Sequence, residues 1–194
     1  MAKLYFRYGA MNSGKTRDLI KTRYNYLERG MNVIVIKPKR DTKGEDMIVP
    51  RGAEPVKVDY LIKDTDNIYG IVAMYLTEHN LDCVLVDEAQ FLNEKNISEL
   101  TDVVDLLEIP VICYGLREDF QGKLFPGSKA LFENADSLEE LKTVCECGTK
   151  AIRNIRYVNG ILTYSGDQVA IDGKDDVTYV SVCRKCEKKL IRRK

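Results

Sequence analysis

The octet Gly9-Ala10-Met11-Asn12-Ser13-Gly14-Lys15-Thr16 fits G-x-x-x-x-G-K-[ST] in full, between an apolar run and a helical stretch. Its glycines let backbone N–H groups turn inward around a phosphate chain, and the following helix adds the positive end of its dipole. Lys15 supplies a charge for the β- and γ-phosphates and Thr16 a hydroxyl for Mg²⁺. This pattern predicts a nucleoside triphosphate site. Asp82-Cys83-Val84-Leu85-Val86-Asp87-Glu88 reads as a buried strand ending in two carboxylates. Asp87 is placed to hold Mg²⁺ directly or through water. Glu88 beside the metal can accept the proton that an attacking alcohol or water must lose. The bland alternative for Glu88 is a solvated charge at a strand end.

Cys145-x-Cys147 and Cys183-x-x-Cys186 offer four thiolates, enough for a closed tetrahedral zinc site. Two buried or redox-active pairs are the alternative. Residues 148–182 lie between the pairs, so a shared ion would staple the base of a long loop. Such a loop, fixed beside a nucleotide-binding sheet, is placed to act as a lid over an acceptor. Cys83 and Cys113 fall inside apolar runs and read as small buried hydrophobes.

These groups need elements to hold them. Residues 4–8, 32–37, 82–87 and 111–114 read as strands; residues 15–29, 66–79 and 96–107 read as helices. The alternation implies βαβ units and a parallel sheet covered on both faces. Gly30 is placed to end the first helix. Ser137 with Glu140 has capping-box spacing and predicts a helical turn over 138–141. The charged, glycine-containing stretch 38–55 reads as an excursion from the sheet. Past residue 143 the texture changes: no long helical pattern appears, and Asn159-Gly160 marks a hairpin turn. We expect a P-loop α/β domain over 1–143 and a zinc-binding domain over 144–194.

Composition narrows the function. Thirty basic residues balance thirty acidic ones within 194 residues, so no global field draws nucleic acid or an anionic membrane. The apolar runs are short, Ile71 to Leu76 being six residues and Val33 to Ile36 four, whereas a membrane span needs ~20. One histidine and no tryptophan disfavour histidine triads and histidine-rich metal sites. The N-terminus shows no charged-then-apolar leader, which together with clustered cysteines predicts a reducing, cytoplasmic setting. The basic tail from Arg184 to Lys194 reads as a solvated face ahead of a nucleic-acid arm.

Taken in order, these segments resemble the type II thymidine kinases, a family with a RecA-like P-loop domain and a small zinc-ribbon-like domain carrying a lasso loop. The carriers are Gly9 to Thr16, Asp87-Glu88-Ala89-Gln90-Phe91, the run Tyr114 to Phe125, Ile171-Asp172-Gly173, Tyr179 and Val182 to Cys186. The resemblance covers nearly the whole chain. It implies ATP contacts at Gly9 to Thr16, Asp87, Ala89 and Gln90, with Mg²⁺ on Thr16 and Asp87. It implies that Glu88 is the base acting on a deoxynucleoside 5′-hydroxyl. It places Met11, Phe91, Leu116, Phe120, Phe125 and Tyr179 around the pyrimidine, with Ile171, Asp172 and Gly173 on the lasso. Zinc on Cys145, Cys147, Cys183 and Cys186, a homotetramer, and no stable nucleic-acid or membrane partner are further implications. Two features depart from the family pattern: Asp172-Gly173 stands where Gly-Gly is usual, and the stretch to Tyr179 is longer. Asp41 and Arg51-Gly52 match the family, but no catalytic role is assigned to them.

The expected activity is therefore Mg²⁺-dependent transfer of the ATP γ-phosphoryl group to the 5′-hydroxyl of thymidine. Two rivals stay open: an ATPase whose Asp87-Glu88 pair activates water, and a zinc-ribbon nucleic-acid binder using ATP as a switch.

Overall fold

A computed structural model describes residues 1–41, 46–50, 54–166, 168 and 176–192. Its centre is a parallel sheet built from β1 (Leu4–Gly9), β2 (Val33–Pro38), β5 (Tyr60–Ile62), β6 (Cys83–Val86), β7 (Val111–Leu116) and β8 (Ser137–Glu140). The spatial order is β5-β2-β6-β7-β1-β8, and every pairing is parallel. Between β2 and β5 lies a small hairpin of β3 (Met47–Ile48) and β4 (Val56–Lys57). The fold is α/β, as the alternation predicted.

Side chains alternate across the strands, so each face builds its own core. Ile34, Ile36, Val84, Val86 and Phe6 pack against α2 (Ile68–Leu76), α3 (Glu94–Leu106) and α4 (Pro126–Asn134). Val33, Val35, Cys83, Leu85 and Tyr114 pack against α1 (Lys15–Leu27) and the β3–β4 hairpin. Continuous burial explains the unbroken apolar runs of β2 and β6. Cys83 and Cys113 are fully buried, as their apolar runs predicted.

Helix ends follow local chemistry. Asn67 caps α2 through Gly70 N, and Asn93 with Asn96 forms the capping box of α3. α1 stops at Leu27; Gly30 then adopts φ 71° in the turn that leads to β2. The predicted helical turn over 138–141 is instead β8. Its four residues pair in parallel with Tyr5–Tyr8, because the open edge of β1 offers a row of ladder hydrogen bonds that a single helical turn cannot match. Helix α4, which opens on Pro126, was not among the helices expected from the sequence.

Beyond β8 the chain forms a ribbon of β9 (Thr143–Val144) and β10 (Lys150–Ala151), then an antiparallel sheet ordered β12-β11-β13. These strands are β11 (Arg153–Val158), β12 (Ile161–Thr163) and β13 (Val177–Val182). Asn159 and Gly160 turn the β11–β12 hairpin with φ of 50° and 76°, the two left-handed residues such a tight turn requires. The basic tail is ordered as α5 (Arg184–Ile191), capped by Cys183, whose Sγ accepts from Cys186 N. A third apolar cluster joins Cys145, Ala151, Ile155, Val182 and Cys183. Among the described residues, no helix is long and apolar enough to cross a membrane.

Candidate active site

The phosphate loop leaves the C-terminal end of β1 and enters α1. Gly14, the N-cap of α1, holds φ 83°, a conformation that costs a side-chain-bearing residue dearly. No side chain caps the helix, so its first N–H groups face the loop. Lys15 is buried, and its Nζ donates to the Ala10 carbonyl at 2.9 Å. Burial lowers the Lys15 pKa, opposed by the charges of Glu88 and Asp87. An ammonium stripped of water in this way gains strongly from an arriving phosphate.

β7 lies between β1 and β6, so the acidic pair sits across one strand from the phosphate loop. Asp87 is buried, and desolvation first, then the neighbouring Glu88 charge, pushes its carboxyl up to about 7. A divalent cation would reverse that balance and hold it ionised. Glu88 adopts φ 48°, an uncommon conformation for a residue with a side chain. Its carboxylate accepts from Gln90 Nε2 at 2.5 Å, while Gln90 Oε1 accepts from Leu116 N at 2.9 Å. Gly115 makes this reach possible, since a Cβ there would stand 2.9 Å from Gln90 Oε1. Gln90 thus braces Glu88 against β7.

A cavity of about 710 Å³ opens over these groups. Of the residues expected at ATP, Met11, Asn12, Gly14, Lys15 and Thr16 line it; Gly9, Ala10, Ser13, Asp87, Ala89 and Gln90 do not. Glu88 lines it, together with all six residues expected around the pyrimidine: Met11, Phe91, Leu116, Phe120, Phe125 and Tyr179. Phe91 and Phe125 meet edge to face with centroids 5.6 Å apart. Arg156 stacks its guanidinium 3.6 Å from the Phe120 ring centroid. The lasso residues Ile171, Asp172 and Gly173 lie outside the described residues, as do Arg51 and Gly52.

The cavity also brings in residues to which the sequence analysis gave no role. Asp41 lines it, paired with buried Lys37 at 2.9 Å. Asn154 and Asp119 line it as well. Asp119 accepts from Gln121 N, Lys123 N and Gln168 Nε2, which folds the 118–124 loop into a fixed wall. The signal for Asp119 was its Asp-x-Gln-Gly spacing, a local turn pattern. Asn154 gave no signal in the sequence.

The four clustered cysteines converge, with their sulfurs all within 4.8 Å of one another. Cys147 and Cys183 Sγ stand 3.6 Å apart, close to the ~3.8 Å edge of a tetrahedron with Zn–S bonds of ~2.3 Å. Hydrogen bonds with Thr149 push the Cys147 thiol down to about 6, while bonding to Cys147 pushes Cys186 up to about 12. Four thiolates this close repel one another, and a cation would be needed to hold them all ionised. These residues could hold zinc.

The family model described as thymidine kinase matches residues 2–187. A thymidine kinase of Shewanella oneidensis is 46% identical over 188 residues, covering 95% of this chain and 96% of the relative. One from Vibrio cholerae is 45% identical over 197 residues and covers both chains in full. A thymidine kinase of Legionella pneumophila (strain Paris) is 44% identical over 186 residues, 95% of this chain and 88% of its own length. The chain belongs to the thymidine kinase family.

Proposed function

From this membership, we propose that the chain transfers the γ-phosphoryl group of ATP to the 5′-hydroxyl of thymidine, giving dTMP and ADP. The observation that carries the reading is the shared cavity, whose wall runs from Lys15 and Thr16 past Glu88 to the aromatic group around Phe120. Phosphoryl transfer asks mainly for positioning and charge stabilisation. Lys15 and the N-terminus of α1 would neutralise the phosphates. Thr16 and Asp87 would hold Mg²⁺, which supplies charge neutralisation at the β- and γ-oxygens. The acceptor oxygen attacks the γ-phosphorus, the bond to the bridging oxygen breaks, and the hydroxyl proton passes to Glu88. Gln90 stays hydrogen-bonded to Glu88 and aims its carboxylate.

Phe91, Phe120, Phe125, Leu116, Met11 and Tyr179 would enclose the base, and Ile171 to Gly173 would close over it. Zinc on Cys145, Cys147, Cys183 and Cys186 would fix the base of the 148–182 loop without entering the reaction. We assign residues 1–143 to ATP binding and 144–194 to the zinc and lasso unit, acting in the cytoplasm as a homotetramer.

ADP release measured with thymidine, with no addition, and with single-stranded DNA tests the reading. Thymidine should accelerate it many-fold and yield dTMP. Turnover independent of thymidine, or stimulated by DNA alone, would establish one of the rival activities.

A further inference from the structure

Both backbone polar groups of one phosphate-loop residue are held by a pair of side chains from the far end of the chain. Met11 N–H donates to Asn154 Oδ1 at 2.8 Å, and the Ser181 hydroxyl donates to the Met11 carbonyl at 2.5 Å. Asn154 on β11 and Ser181 on β13 are direct register partners, so their side chains leave one face of the sheet side by side. Asn154 is only 3% exposed, and its other end is also committed: Nδ2 donates to the Glu118 carbonyl at 3.2 Å. The amide cannot turn over, because that would set its NH₂ against the Met11 N–H and its oxygen against a carbonyl.

The backbone just before Met11 is held by other groups. Leu141 N donates to the Tyr8 carbonyl at 2.7 Å, and Lys15 Nζ binds the Ala10 carbonyl. Met11 sits at the crest of the loop, followed by Asn12 at φ 60°, outside any strand or helix. Two residues along the same face of the β11–β13 ladder comes the next partner pair, Arg156 and Tyr179. Arg156 stacks on Phe120, and Tyr179 lines the cavity. Consecutive pairs on one face of the ladder therefore meet the phosphate loop and the acceptor pocket.

We propose that Asn154 and Ser181 are positioning residues for phosphoryl transfer: they tie the crest of the phosphate loop to the sheet bearing the acceptor pocket, so that one β-ladder sets the distance between γ-phosphate and acceptor hydroxyl. The proposal rests on the kinase reading above. Displacement of reacting groups by ~1 Å can cost ~10²-fold in rate, and a single lost tether should cost about tenfold. A loosened crest also admits water, so ATP is hydrolysed instead of transferred.

Ser181→Ala, Asn154→Ala and Ser181→Thr are compared with the unaltered full chain. Thymidine-dependent ADP release is resolved into kcat and KM, free phosphate release is followed separately, and melting temperature is recorded. We expect Ser181→Ala to lower kcat about tenfold, with both KM values within about threefold. The proportion of ATP lost to water should rise, and Ser181→Thr, which keeps the hydroxyl, should recover most of the kcat. An unchanged hydrolysis-to-transfer ratio, or a kcat that merely follows the melting temperature, overturns the proposal. Hydrogen exchange of the Met11 amide in the free protein gives a substrate-independent measure. It should speed at least tenfold in Asn154→Ala, and unchanged protection there overturns the clamp. An unaltered chain inert toward thymidine overturns the kinase reading alone, while the exchange result still decides the clamp.

Discussion

Replacing Glu88 with Gln keeps the size and one oxygen of the side chain while removing its capacity to accept a proton. Position 88 stays at φ 48°, a strain both residues share, so the backbone gives no reason for the variant to fold differently. The Gln90 Nε2 bond can be kept by the remaining amide oxygen, weakened from charge-assisted to neutral, a change of ~1 kcal/mol. Against this, Asp87 is relieved of the neighbouring charge that helps to raise its pKa, which favours the ligand-free fold. The two effects oppose, so melting temperature should move little. Catalysis should not be spared: loss of a general base costs ~10²–10⁴-fold, or ~3–5 kcal/mol in barrier height. Steady-state ADP release should show this fall in kcat, with ATP affinity by titration close to that of the unaltered chain. A loss under about tenfold would refute the base assignment, since typical base loss is larger. Asp87, the carboxylate next to it in the chain, would then be tested in the same way.

Lys15→Ala should abolish transfer and weaken ATP binding while holding or raising the melting temperature of the free protein, because it removes a desolvated charge; normal turnover would refute the phosphate-loop role. Asp87 titrates higher in the folded chain than the ordinary carboxylate value near 3.8, so its contribution to stability is complete below that value and lost as pH rises through about 7. Asp87→Asn should flatten that decline in urea-denaturation midpoints between pH 4 and 7 without metal or nucleotide, and an unchanged slope would refute it. Metal analysis should find about one zinc per chain. Chelation or Cys183→Ser should then cost thymidine affinity and local protection around α5 while ATP still binds; metal-free protein with full activity would remove zinc from the acceptor site.

Groups that act together while close in sequence declare themselves by residue type and spacing. The phosphate loop is an octet whose glycines, lysine and threonine act within one strand-turn-helix unit. Asp87-Glu88 ends an apolar run that could only be a buried strand, and each cysteine pair carries its own metal-ligand spacing. Such patterns are legible because their physics is local: a backbone turn, a strand period, a short chelate. Local physics also misleads where a distant partner competes. Ser137 to Glu140 satisfies a capping rule, yet the free edge of β1 claims those residues as a strand. Helix α4 was not read although Pro126 stands at its start, and its place depends on a distant contact: Gly127 packs it tightly against the turn after Glu88, where a Cβ would meet the Ala89 carbonyl at 2.4 Å. The brace from Gln90 to Glu88 needs β7 alongside β6, and the grip of Asn154 and Ser181 on Met11 joins residues 143 and 170 positions apart. No spacing rule reaches so far. The sequence determined which groups can bind phosphate, metal and proton; tertiary structure alone decided which side chains hold those groups still, because a hydrogen bond between distant segments exists only after packing has brought its two ends within about 3 Å.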